Sequence, residues 1–260
     1  MNINKINKYI EFAATKLKIA LKENNYISDG YKIKYILEKN DSDSLIIVFS
    51  GFTRIGLKAR YNYNRTLKNV KANKIFILDD FGNDNRGAYY LGKNMDFKIK
   101  DAVFNLINKI KEDLNIKKSI FIGSSKGGYA SLYFGLQEKD SIIIAGAPQY
   151  YLAKYLSGTE NYIENCLKYI IGDELKQESL NYLDSLLPTI VKNNTSNNCK
   201  VYLHYSDQEN TYKRHIKFLI KDLSIYKYKY ELDVKKYENH SDVSLYFPDY
   251  IKSTINKVLQ

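Results

Sequence analysis

The stretch Ser119-Ile120-Phe121-Ile122-Gly123-Ser124-Ser125-Lys126-Gly127-Gly128-Tyr129 decides the reading of this chain. Its apolar half predicts a buried strand. Its continuation, with Tyr129, Leu132, Tyr133 and Leu136 at helical spacing, predicts a helix. Between them stands a G-x-S-x-G turn, the pattern of a nucleophile elbow, which lifts its central serine clear of a sheet edge at a helix N-terminus. Gly123 and Gly127 leave room for so sharp a bend. Ser125 is therefore the candidate nucleophile, with acyl transfer as the matching chemistry. Glycines at a strand–helix turn can also serve the turn alone. A phosphate loop does not fit, because the lysine precedes its glycine pair.

Short apolar runs recur on both sides of this stretch: Leu45–Phe49, Ile75–Leu78, Ile142–Ala145 and Val201–Tyr205. Continuous rather than alternating apolarity suits strands buried on both faces of a parallel sheet. Residues 32–38 and 226–234 alternate and read as strands at or near the edges. Helical stripes lie between the strands: Ile99, Ala102, Val103, Leu106, Ile107, Ile110 and Leu114, then residues 125–137, 209–223 and 247–259, with an amphipathic helix over 3–23. The expected fold class is α/β, a mostly parallel sheet with helices on both faces. Residues 1–260 form one domain in this reading, with a helical cap inserted at 149–198. Ordinary packing helices are the alternative for that insertion.

The chain has 260 residues, enough for one large core, and 44% are hydrophobic. It shows no apolar h-region of a secretory signal and no run long enough to span a bilayer. With two cysteines, Cys166 and Cys199, the expectation is a cytoplasmic, reduced setting without disulfides. The net charge is +11. It has two readings: AT-rich coding, which favours Lys, Asn, Ile and Tyr, or a functional attraction to an anionic partner such as a nucleotide-bearing acyl donor or an acidic polymer. No zinc-finger spacing, RNP motif or basic recognition helix points to nucleic acid. No close His/Asp/Glu cluster points to a metal.

A serine hydroxyl needs a base, and the base needs an orienting group. Three histidines are available. His204 lies inside a buried run, and His215 lies mid-helix among cations. His240 follows the last strand, where catalytic side chains of α/β sheets gather, and is the preferred base. Asp207, just after the strand 201–205, is the preferred orienting acid, and it could equally cap the helix that follows. Glu209 is the reserve. An oxyanion would be met by the backbone N–H of Lys126 and by the loop Phe49-Ser50-Gly51-Phe52, with Phe52 as second donor and Gly51 permitting the turn or contributing itself. The segment 78–92 offers Arg86 for an anion and Tyr89 or Tyr90 for stacking on a sugar or adenine. Its alternative is a surface loop with its aromatics tucked beneath.

The elbow, a strand-end acid and a late histidine, in that chain order, resemble the α/β-hydrolase superfamily over roughly residues 32–260. The Ser-Ser-Lys-Gly-Gly elbow and the Asp-Asp-Phe-Gly…Tyr-Tyr-Leu-Gly segment resemble bacterial capsule-polysaccharide O-acetyltransferases and the acetyltransferase-like component of the accessory Sec system. That resemblance implies acetyl-CoA as donor, no permanently bound cofactor, and a glycan hydroxyl as acceptor. It implies an acetyl-Ser125, with His240 as base then acid and Asp207 orienting it. An esterase or deacetylase using water, and a non-catalytic secretion or assembly partner, are the competing functions.

Overall fold

The computed structural model describes residues 21–158 and 161–260. Eight strands form one sheet: β1 (Glu23–Ser28), β2 (Tyr31–Glu38), β3 (Ser44–Phe49), β4 (Asn73–Leu78), β5 (Lys118–Ser124), β6 (Ile142–Gly146), β7 (Lys200–Ser206) and β8 (Lys229–Lys235). Their order is β1-β2-β4-β3-β5-β6-β7-β8. From β4 to β8 all neighbours are parallel, while β1 and β2 run antiparallel at one side. The apolar runs become central strands because both their faces are covered; every residue of β3 and β4 is buried. The alternating stretches lie further out. β8 is an edge with no fully buried residue, whereas β2 is second from the edge.

The outermost strand on that side is β1, which the sequence pattern does not announce and partly assigns to an N-terminal helix. Its residues Glu23-Asn24-Asn25-Tyr26 carry little apolar signal, and the strand is held by its ladder to β2 rather than by burial. Of the expected helix 3–23, residues 21 and 22 are helical and Glu23 opens β1, while the rest lies outside the described residues.

Seven helices are described: α1 (Lys98–Asp113), α2 (Lys126–Gly135), α3 (Leu152–Ser157), α4 (Asn161–Ile171), α5 (Gln177–Asn193), α6 (Lys217–Ile225) and α7 (Val243–Val258). The stripe read from the sequence is the buried face of α1, from Ile99 to Ile110. Helix α2 is buried all round. A Cβ added at Gly135 would meet Ile143, and one at Gly146 would meet the Phe247 ring of α7. Positions 143 and 146 of β6 point to opposite faces, so α2 and α7 cover opposite faces of the sheet. Helices α3, α4 and α5 all fall between β6 and β7, where the insertion was expected. Among the described residues no helix is long and apolar enough to cross a membrane, and no group of three or more His, Cys, Asp and Glu side chains is placed to hold a metal.

Candidate active site

Ser125, His240, Asp207, Glu209, Phe52, Arg86, Tyr89 and Tyr90 all follow the carboxyl ends of the parallel strands, and Lys126 opens the helix after β5. Strand β5 ends at Ser124, and Ser125 turns the chain with φ 52° and ψ −119°. Such a non-glycine conformation costs about 1–3 kcal/mol and persists because the surroundings impose it. Here Ser125 N–H donates to Gly146 O (2.8 Å), tying the elbow to the end of β6, and Ser125 O accepts from Tyr129 N–H (2.9 Å). A Cβ at Gly123 would stand 2.3 Å from the Gly127 backbone, so the bend closes only with glycine there.

The Ser125 hydroxyl meets His240 Nε2 at 2.8 Å. His240 begins a 3₁₀ turn, His240–Asp242, after β8. Its Nδ1 is bonded to Glu209 Oε1. Glu209 follows β7 and is buried, whereas the His240 side chain keeps about a third of its surface. The two loops are pinned together by Ser206: its hydroxyl donates to Tyr237 O (2.6 Å) and accepts from Tyr237 N–H (3.0 Å) and Gln208 N–H (3.2 Å). Residues far apart in sequence are thereby brought within reach.

The orienting carboxylate is thus placed differently from the preferred sequence reading. Asp207 does not face His240. Its Oδ2 is held at 2.5 Å by Lys236 Nζ, toward solvent. Two positions on, past the end of the strand, the chain swings inward, and the reserve candidate Glu209 has the longer arm to reach the ring. Its second oxygen is buried and meets no donor among the described residues. Such an array can draw the serine proton to Nε2 and stabilise the imidazolium formed.

The other two histidines are occupied elsewhere. His204 is fully buried with Nδ1 at 2.6 Å from Asp233 Oδ2. His215 Nδ1 accepts from the N–H groups of Tyr150 (3.3 Å) and Tyr151 (3.2 Å). Burial, reinforced by Arg214, lowers its pKa to about 4, which keeps it neutral.

The anion-binding side of the site needs three corrections. Gly51 N–H donates to Asn62 Oδ1 (2.9 Å), so its backbone donor is already used. Phe52 N–H has no acceptor among the described residues, and Lys126 N–H lies in the first turn of α2, where no intrahelical acceptor exists. Arg86 is buried, not presented to an anion. Its guanidinium donates to Thr53 O from both Nε (2.9 Å) and Nη2 and lies 4.4 Å over the Phe52 ring. Tyr89 and Tyr90 are buried too. The Tyr90 hydroxyl donates to Ile77 O (2.9 Å) and receives Ser50 N–H (2.6 Å), locking the loop after β3 rather than offering a stacking face.

Beneath the loop runs a fully buried ion pair, Lys126 Nζ to Asp79 Oδ2 at 2.8 Å. A buried pair is tolerated only with its remaining valences filled. Lys126 Nζ also donates to Asp79 O (3.2 Å) and Arg86 O (3.3 Å), and Asp79 accepts from Ala88 N–H and Tyr90 N–H. Gly87, with φ 123°, allows this: a Cβ there would fall 2.0 Å from Lys126 Nζ. The lysine of the elbow is therefore a strut between the elbow and the segment after β4, a use that sequence spacing does not show. Nor does the sequence pattern single out Gln149, whose Nε2 stands 3.2 Å from Ser125 Oγ.

No protein-family model and no curated protein matches this sequence. Solved structures do. The capsule O-acetyltransferase of Neisseria meningitidis serogroup A, as a histidine-to-alanine mutant in complex with CoA, matches with TM-score 0.75 at 21% identity, over 90% of this chain and 95% of that one. The Gap123 glycosylation-associated complex of Streptococcus agalactiae matches with TM-score 0.75 at 20% identity, over 92% of this chain and 46% of that one. FphF, a fluorophosphonate-binding serine hydrolase of Staphylococcus aureus, matches with TM-score 0.60 at 15% identity, over 92% and 97%. At such identities the likeness is one of architecture: this chain has the α/β-hydrolase fold.

Proposed function

We propose that the chain is a serine-dependent acyltransferase that moves an acetyl group from acetyl-CoA to a hydroxyl of a bacterial surface polysaccharide. The observation that carries the proposal is the bonded array Ser125–His240–Glu209 on a strained elbow. In this reading His240 Nε2 takes the Ser125 proton as Oγ bonds the thioester carbon. The Phe52 and Lys126 N–H groups receive the oxyanion, aided by the positive end of α2. The thiolate leaves with the proton from His240. The acceptor hydroxyl then gives its proton to Nε2, attacks the acetyl-Ser125 carbon, and Oγ departs as it recovers a proton. Glu209 replaces Asp207 as the orienting acid.

The choice of donor is supported by the CoA complex of the capsule O-acetyltransferase whose fold this chain shares. Exposed cations also flank the Phe52 loop. Arg54, Lys58 and Arg60 are exposed on it, and they take over the anion-facing role that the buried Arg86 does not fill. Helices α3 to α5 act as the cap, resting on the segment after β4 through Asn94 N–H to Tyr169 O (3.1 Å) and Met95 N–H to Ile170 O (2.7 Å).

Incubation with acetyl-CoA followed by intact-protein mass measurement tests the proposal. One acetyl group on the parent protein and none on Ser125→Ala, with transfer to an added capsular glycan, is the expected result. Acetyl release to water with glycan ignored would instead identify an esterase, the reading that the serine-hydrolase neighbour favours. An unmodified protein would leave the assembly-partner reading, for which the multi-protein Gap123 neighbour speaks.

A further inference from the structure

We infer that Gln149 is a catalytic residue whose side-chain N–H stabilises negative charge on Ser125 Oγ itself. This rests on the proposed role of Ser125 as nucleophile. Gln149 follows β6 in the sequence Gly146-Ala147-Pro148-Gln149, the same strand end to which Ser125 N–H is bonded. Ala147 there holds φ 40°, with its N–H on His204 O at 2.7 Å. The two loops therefore share one frame.

The Gln149 side chain is fully buried, and a buried amide is costly unless both its ends are bonded. Both are. Tyr89 O–H donates to Oε1 at 3.4 Å, and Nε2 donates to Ser125 Oγ at 3.2 Å. The amide oxygen can only accept and the nitrogen can only donate, whereas a tyrosine hydroxyl can meet either; the serine sets which end faces it, because its proton is directed to His240 Nε2 and its oxygen can then only accept. Tyr89 is itself fixed, edge-on to Tyr129 with ring centroids 5.5 Å apart. A serine hydroxyl has one donor and two acceptor sites. Here the proton points to His240 and one lone pair receives the amide.

The consequence lies in what changes during reaction. As the proton passes to Nε2, Oγ gains charge, and a hydrogen bond to a charged oxygen is about twice as strong as one to a neutral oxygen. The gain is thus larger in the transition state than in the resting enzyme, which is the condition for raising kcat. The same oxygen is nucleophile when the acyl-enzyme forms and leaving group when it breaks. Gln149 assists both half-reactions, unlike donors that meet only the carbonyl oxygen. Tyr89 acts through Gln149 and is a positioning residue.

The test uses the full chain with p-nitrophenyl acetate as acyl donor and compares burst and steady-state rates. Gln149→Met keeps the volume without the donor. It is expected to slow acylation and deacylation together, each about 10- to 100-fold, with KM within about twofold. Tyr89→Phe is expected to lose only a few-fold, and to lose nothing further when combined with Gln149→Met. If Gln149→Met does not fold, Gln149→Glu keeps the size and the Tyr89 acceptor while replacing the donor, and the same loss is expected. Parent rates in a folded variant, a loss confined to KM, or additive losses in the double variant overturn the inference. Ser125→Ala separates this failure from that of the underlying reading: if it retains acyl transfer, the serine mechanism falls; if it is inactive while Gln149→Met is not, only Gln149 falls.

Discussion

One imidazole–carboxylate pair stands on β7 and β8 and a second on the loops that leave them, and of the two it is the loop pair that faces the Ser125 hydroxyl. His204 and Asp233 are direct partners in the β7–β8 ladder, 2.6 Å apart, with the ring enclosed by Tyr237, Phe247 and Tyr250. His240 and Glu209 belong to the loops that leave the same two strands. The chemistry of the two couples is alike, and their surroundings are opposite. In the ladder the histidine's far nitrogen meets the Tyr237 hydroxyl at 3.4 Å, and burial lowers the ring's pKa despite its carboxylate. At the loop the far nitrogen meets Ser125, and part of the ring reaches solvent. A strand presents its side chains to packing at fixed alternation. A loop beyond the strand end is free to aim one at a neighbouring loop. The two pairs therefore differ in the atom that faces Nε2, the Tyr237 hydroxyl in the ladder and the Ser125 hydroxyl at the loop.

The sharpest way to break this contrast is to remove the loop histidine. His240→Ala should lower acyl transfer by about 10⁴-fold or more, measured as kcat/KM with p-nitrophenyl acetate. Next, Glu209→Gln should cost about 10³-fold in kcat with little change in KM, because the ring loses its orienting charge while its size is kept. Asp207→Asn should stay within about twofold, since its partner is the exposed Lys236. Equal losses in these last two variants would contradict the placement of the acid.

The ladder pair should respond in stability rather than rate. His204→Phe leaves Asp233 without its imidazole and should cost about 1–3 kcal/mol in urea unfolding, with kcat within a few-fold. The smallest effect concerns pH. His215 is held neutral with its pKa lowered to about 4, while an unfolded histidine titrates near ~6.5. Below ~6.5 the unfolded chain binds a proton that the folded one refuses. Its contribution to stability is therefore complete above that pH and falls away as pH drops toward 4. The decline between pH 7 and 5 should be shallower in His215→Gln.

Much of this is legible in the order of residues. The wholly apolar runs of β3, β4 and the middle of β5 predict central parallel strands, because only burial on both faces removes alternation. The Gly123–Gly127 pair between a buried strand and a helix predicts the sharp bend that the structure shows at Ser125. Strand β1 escapes such a reading because a polar edge strand carries no burial signal. Arg86, Tyr89 and Tyr90 invite a substrate-facing reading because charge and aromaticity look the same whether they face a cleft or brace a loop.

By itself the sequence determined the α/β architecture and the bend at Ser125, since hydrophobic period and turn chemistry are local properties of a chain. The tertiary structure alone placed Glu209 rather than Asp207 against His240 Nδ1, turned Arg86 and Lys126 into internal struts, and brought the Gln149 amide to the serine oxygen. Those outcomes depend on Ångström-scale distances between loops far apart in sequence. They are set by which donors and acceptors lie within bonding distance when several strand ends pack together, and composition and spacing do not encode that geometry locally.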